Sequence, residues 1–361
     1  MEHKILDAAI KTVTKALSSH TTVAILEGIY VEAIGNEVLF RCTDLSLQVE
    51  TIVNADVEED GGIVLPGRLF TEMVNKMDGE TFSIRTEKNT AHIACGRSKF
   101  SVQGERIEDY HSMPSVKKEV MIKLGMKTFK EMIRQSIFAT AQDESKPILT
   151  GVLVEIREND INMVALDGYR LAMIKRGISE GEEKNVVVPA KSLLEISRIL
   201  GDEDTVISIT FSRTHVLIDM GYTKITTRLL DGEFIKYKQI LPTDHTLRVR
   251  VNRSELLSTI DRVGLIAREG KSNLVKFAFE KERLEISADS QIGKANEDIE
   301  VQSMGELLEI AFNAKFFTDV LKALDDEYIY LDMNTNLSPC VVRPVEGEAY
   351  YYLILPVRMF S

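Results

Sequence analysis

IVLPGRLFTEMVNKM (63–77), VVVPAKSLLEISRIL (186–200) and IAFNAKFFTDVLKAL (310–324) share one pattern: an apolar strand, a turn, and an amphipathic helix. Aligning Gly67, Ala190 and Ala314 gives steps of 123 and 124 residues, which marks an internal repeat. The stretches upstream repeat too. AAIKTVTKALSSHTTVAILEGIYVEAI from Ala8, EMIRQSIFATAQDESKPILTGVLVEI from Glu131 and STIDRVGLIAREGKSNLVKFAFE from Ser258 each read as a helix, a polar connector and a strand, followed by a second strand ending in Asp44, Asp167 or Asp289. Leu6, Ile10, Val13 and Leu17 show the three- and four-residue spacing of a helix, whereas TVISITF and HVLIDM alternate as half-buried antiparallel strands do. Related endings, YHSMP, YKQILP and YLILP, close the units.

The expected architecture is therefore α+β: three tandem modules of two helices against antiparallel strands, spanning residues 1–120, 121–244 and 245–361. Three modules in a row leave an open sheet edge at each end. Two chains closed through a twofold axis into a ring of six domains would remove those edges.

The chain has 361 residues, 44% of them hydrophobic, enough for two or three cores. Its start, MEHKILDAAIKTV, has no basic-then-apolar leader, and no apolar run is long enough for a bilayer, so a soluble cytoplasmic protein is expected, with no membrane partner. Cys42, Cys95 and Cys340 are far apart and lack a CxxC pattern, and read as small core residues. The six histidines have no metal-ligand spacing, and neither GxSxG nor HExxH occurs. AREGKSN at 267 imitates the end of a phosphate-binding loop, but Gly264 is one residue too distant and the helix precedes the motif. No cofactor is expected.

Net charge is −12, which alone argues against a nucleic-acid partner. The placement of the basic residues argues otherwise. Lys11, Arg134 and Arg262 share one non-core position of the first helices; Arg198 and Lys322 share one in the second helices, with Lys76 one residue away; the connectors add His20, Lys146 and Lys271. Such a face contacts phosphates without reading bases. Asp44, Asp167 and Asp289 recur at one point of each module, as turn residues whose carboxylates accept backbone N–H bonds. In ALDGYRLAM (165–173), Tyr169, Arg170 and Leu171 have no such counterparts, which marks the middle module as the one adapted to a partner.

With the triplication, LDGYRLA, LLDGEFIKYKQILP, FNAKFFTDVLKAL and YYYLILPVRM make the whole chain resemble the bacterial sliding clamps, the beta subunits of DNA polymerase III. The resemblance implies a head-to-tail homodimer, a six-domain ring with helices lining the hole. Such a ring does no chemistry, encircles duplex DNA in the cytoplasm, at the nucleoid during replication, and is loaded by a separate clamp loader. It tethers the polymerase alpha subunit and other clamp-binding proteins through a peptide groove. That groove would use Leu149, Leu166, Gly168, Tyr169, Arg170 and Leu171; Ile235, Gln239 and Ile240; Asn313, Phe316, Leu337 and Pro339. The tail Leu353, Ile354, Leu355, Pro356, Val357, Arg358 and Met359 would form one wall. His20, Tyr169, Ile235 and Gln239 depart from the family's frequent Arg, His, Pro and Arg. Two rival readings are a clamp-fold scaffold never loaded on DNA, and an enzyme using Asp167, Tyr169 and Arg170 on a small anion.

Overall fold

The computed structural model describes residues 1–18, 21–269 and 273–358. Apolar spacing and helix formation agree except at the end of the first helix. In the first module, α1 (His3–Val13) buries Leu6, Ala9, Ile10 and Val13, and α2 (Gly67–Lys76) buries Phe70, Met73 and Val74. Leu17 lies beyond α1, past a 3-10 turn at Thr14–Ala16. The strands are β1 (Gly28–Ile34), β2 (Glu37–Thr43), β3 (Leu47–Asn54), β4 (Gly61–Pro66), β5 (Phe82–Glu87), β6 (Thr90–Cys95) and β7 (Ser98–Gln103).

The second module repeats this order with a strand added in front: β8 (Val120–Gly125), α3 (Met126–Ser136), β9 (Gly151–Ile156), β10 (Asp160–Leu166), β11 (Arg170–Gly177), β12 (Lys184–Pro189), α4 (Ala190–Ile199), β13 (Val206–Phe211), β14 (His215–Asp219) and β15 (Thr223–Arg228). The third module matches the second: β16 (Leu247–Asn252), α5 (Arg253–Arg268), β17 (Leu274–Phe279), β18 (Arg283–Ser290), β19 (Gly293–Gly305), β20 (Glu309–Asn313), α6 (Ala314–Ala323), β21 (Tyr328–Met333), β22 (Cys340–Pro344) and β23 (Tyr350–Ile354). In the first module the added strand shrinks to a single bridge, Glu2 to Thr81.

The turn into the second helix is set differently in each copy. Pro66 and Pro189 end their strands, since proline has no N–H to give the ladder. Asn313 takes that place in the third copy, and its side chain accepts the Lys315 N–H as a helix cap.

Every strand pairing among the described residues is antiparallel, and the chain forms two compact units. Unit 1 (1–130 and 191–229) holds an eight-stranded sheet, β4-β1-β2-β3-β15-β14-β13-β8, and the separate sheet β5-β6-β7. Unit 2 (131–190 and 230–361) holds a twelve-stranded sheet, β12-β9-β10-β11-β23-β22-β21-β16-β19-β18-β17-β20. Each large sheet joins the last strand of one module to the third strand after the first helix of the module before it. Thr223 faces Thr51 where β15 meets β3, and Tyr350 faces Ile174 where β23 meets β11. Phe277, Phe312 and Phe317 form an aromatic core in the third module, with ring centroids 4.8 to 5.5 Å apart. Full burial of each such ring contributes about 1.5–3 kcal/mol. All three cysteines are buried, as expected of core residues.

Candidate functional site

The turn between β10 and β11 is built by Asp167. Its carboxylate accepts the backbone N–H groups of Tyr169 (2.9 Å) and Arg170 (3.0 Å), and Gly168 takes a φ of +93° that side chains disfavour. Asp44 does the same for Ser46 and Leu47. The third copy departs from the expectation: pairing continues to Ser290 opposite Gly293, so Asp289 lies within β18 and its carboxylate meets Lys294 instead.

Arg170 is 8% exposed, and each of its three guanidinium nitrogens donates within the chain. It donates to Asp167 (3.0 Å), to Asp319 of α6 (2.6 Å) and to the Phe138 carbonyl (2.6 Å), and lies 4.8 Å from the Phe316 ring. Tyr169 stacks on the same Phe316 ring, at 6.0 Å, while remaining 64% exposed. Arg170 is therefore a tie between the turn and α6. This removes the catalytic reading of Asp167, Tyr169 and Arg170, because the acid and the cation neutralise each other inside the fold.

Beside the knot, Leu149, Leu166, Leu171 and Leu353 meet in one buried apolar cluster with Leu153, Val164, Val187, Tyr237, Val341 and Tyr351. Ile148, Leu230, Phe234 and Leu241 pack against it, and the expected groove residues Ile235, Ile240, Leu337 and Leu355 are each more than a third exposed. The tail is fastened by its backbone: β23 pairs with β11, Leu355 N–H donates to the Tyr169 carbonyl and Val357 N–H to that of Ala311. Leu353 and Leu355 share a face of the tail strand, while Ile354 alternates into the opposite core and is fully buried. Pro356, Val357 and Arg358 follow β23; Gln239 closes a 3-10 turn, and Pro339 lies in the connection before β22. Asn313 is a helix cap rather than an open polar group. Met359 lies outside the described residues.

Tyr237 was not foreseen, although the quoted DGEF segment contains it. Its hydroxyl donates to buried Glu155 at 2.6 Å, and burial pushes its pKa well up, so it pins that segment as a neutral phenol. Val164 and Val341 were legible by alternation along their strands; Phe138 and Asp319 were not.

The basic helix positions are exposed but mostly paired. Lys11 meets Asp7, Arg134 meets Asp325, Arg198 meets Glu195, Arg262 meets Glu297 and Lys322 meets Asp261. The Glu297 contact to Arg262 holds that carboxyl below its usual range. Lys76 and Lys146 have no ion pair among the described residues, and His20 and Lys271 lie outside them. A separate cleft of about 1150 Å³ in unit 1, bordered by Leu17, Ile25, Leu65, Arg68 and Glu105, is lined by none of the expected site residues among the described residues. Among the described residues no group of three or more His, Cys, Asp or Glu is placed to hold a metal, and no helix is long and apolar enough to cross a membrane.

Three family models match the chain in succession: the N-terminal domain of the DNA polymerase III beta subunit over 1–114, its central domain over 123–236 and its C-terminal domain over 238–358. The chain is 33% identical over 358 residues to the beta sliding clamp of Staphylococcus epidermidis, covering 96% of this chain and 95% of that protein. The DNA polymerase sliding clamp of Bacillus subtilis superposes with a TM-score of 0.96 at 33% identity, over 100% and 98% of the two chains. The beta subunit of Thermotoga maritima gives 0.93 at 29%, over 100% and 99%.

Proposed function

The chain belongs to the DNA polymerase III beta subunit family, the bacterial sliding clamps, and from that premise we propose that it is a non-catalytic homodimeric ring that encircles duplex DNA. Threaded on DNA, the ring keeps a polymerase at high effective concentration, so that the enzyme rebinds before it diffuses away. A separate clamp loader opens and closes it, and the ring works at the nucleoid during replication. The modules divide near residues 120 and 245.

One observation carries the reading. The last strand of module two pairs with β3, and that of module three with β11, which leaves their counterparts β7 and the first half of β19 unpaired on one side among the described residues. Continuing the same register between two copies sets Val102 opposite the partner subunit's Ile292 and Phe100 opposite the partner subunit's Lys294. Phe100 and Ile292 are 45% and 68% exposed, as side chains awaiting cover are. Light scattering on the full chain should give twice 40.6 kDa; a strict monomer at micromolar concentration would sink the ring.

Partner proteins are held by an extended peptide with apolar anchors, laid over Leu149, Leu166, Leu171 and Leu353 with Ile240, Leu337 and Leu355 at the rim. A second reading, a scaffold of the same fold that never enters replication, is favoured by the ion pairing of five basic helix positions. Retention on circular but not linearised DNA, with a clamp loader and ATP, separates the two. The ring survives high salt on the circle, whereas the scaffold is washed off both.

A further inference from the structure

Four strands that lie side by side in unit 2, β16, β21, β22 and β23, carry three arginines and one aspartate, a positive surplus within a chain of net charge −12. Alternation decides where these side chains point. Leu247, Val249 and Val251 of β16 and Ile329 and Leu331 of β21 are buried, so Arg248, Arg250, Tyr328 and Tyr330 occupy the opposite face. There each guanidinium lies on a ring: Arg250 over Tyr328 at 3.8 Å, Arg248 over Tyr330 at 4.8 Å and Arg343 over Tyr351 at 5.7 Å.

Asp332, 4% exposed, takes two hydrogen bonds of 2.7 Å from Arg248, while Arg343 and His245 approach it only to 3.8 and 3.9 Å. The sole carboxylate of these strands is thus committed to Arg248. Arg250 has no ion-pair partner among the described residues. The same face runs unbroken into the apolar cluster: Arg248 pairs across to Asp332, Asp332 to Val341, Val341 to Leu353 and Leu353 to Leu171.

We propose that Arg250 and Arg343 extend the groove as a carboxylate-binding ladder, and that the peptides taken up carry an acidic segment beside their apolar anchors. This rests on the peptide-groove reading above. A guanidinium resting over a ring spends its face on the ring and leaves in-plane N–H donors for a carboxylate, with less side-chain freedom left to lose. Arg250 and Arg343 flank β21, two strand spacings or roughly 10 Å apart, which three residues of extended peptide span. A nucleic-acid strand fits less well, because the ring faces on which bases would stack are already covered by the arginines.

The test uses the full chain and fluorescent peptides sharing one anchor of leucines and phenylalanine, extended at either end by four glutamates or four serines. At low salt, one of the two glutamate peptides binds about tenfold tighter than its serine counterpart. High salt erases the difference. Arg250→Glu with Arg343→Glu reverses it in favour of a lysine extension and leaves the serine peptides' affinity unchanged, which verifies the fold; Arg250→Lys retains much of it. Equal binding of glutamate and serine peptides at both ends overturns the ladder but leaves the groove. No binding by any peptide overturns both. An oligothymidylate that displaces the glutamate peptide at lower concentration, and loses its grip in the double variant, overturns the proposal in favour of nucleic acid.

Discussion

Arg170 and Asp319 lie 149 positions apart in the chain and 2.6 Å apart in space. Replacing Arg170 by Ala removes one charged donor each from Asp167 and Asp319 and the side-chain donor of the Phe138 carbonyl, while Asp167 keeps its backbone N–H groups and Asp319 keeps Lys315. Arg170→Ala should cost about 1.5–3 kcal/mol of stability in urea unfolding, and should weaken apolar-peptide binding by loosening the turn rather than by losing a peptide contact. Arg170→Lys restores little of either, since an ammonium cannot reach three diverging acceptors as the fork does. The sequence marks Asp167 as a turn residue because its partners are two and three residues away. It marks Arg170 as special, but not as self-satisfied, because Asp319 and Phe138 come from distant elements. Tyr237 escaped for a related reason: an aromatic in a polar connector has no periodicity to betray its burial.

At the scale of the element, the helices and most strands follow from apolar spacing, and the three-module order is visible from the steps of 122 to 124 residues. What spacing does not show is length. β19 runs for 13 residues and serves β18 with its first part and β16 with its second, so the Asp289 turn shifts and an unpaired edge appears. Ile292→Asp, placing a charge on that edge, should shift the light-scattering mass from dimer toward monomer without moving the thermal midpoint of a diluted sample; Phe100→Asp should do the same from the opposite edge. The cap at α6 provides an independent check. Asn313→Ala should cost about 1 kcal/mol in chemical unfolding, and Asn313→Asp should leave stability near the wild-type value.

For the whole molecule, the deciding quantity is how little free positive charge the helices offer. Of the basic positions that recur between the modules and their connectors, two per chain, Lys76 and Lys146, stand without an ion pair among the described residues, and four in a dimer predict a slope of log affinity on log salt of roughly −4 for linear duplex. Removing the competing acids, Asp325→Asn with Glu297→Gln, should raise linear-DNA affinity by roughly tenfold and steepen that slope, while the lifetime on closed circles changes little. Composition hid this arrangement, since a net charge of −12 does not say which acids face which bases.

The joining of β23 to β11 also sets a timetable for synthesis. β11 leaves the ribosome about 170 residues before β23, so at roughly 5–20 residues per second it waits some 10–35 s for the neighbour that completes its side of the sheet. The proposed peptide groove is then complete only after β23 emerges. Ribosome-held chains ending before Tyr350 should fail to capture the anchor peptide, and chains extended by a linker past Ser361 should capture it. On the peptide-groove reading, a newborn chain would thereby be kept from engaging partners until β23 is in place.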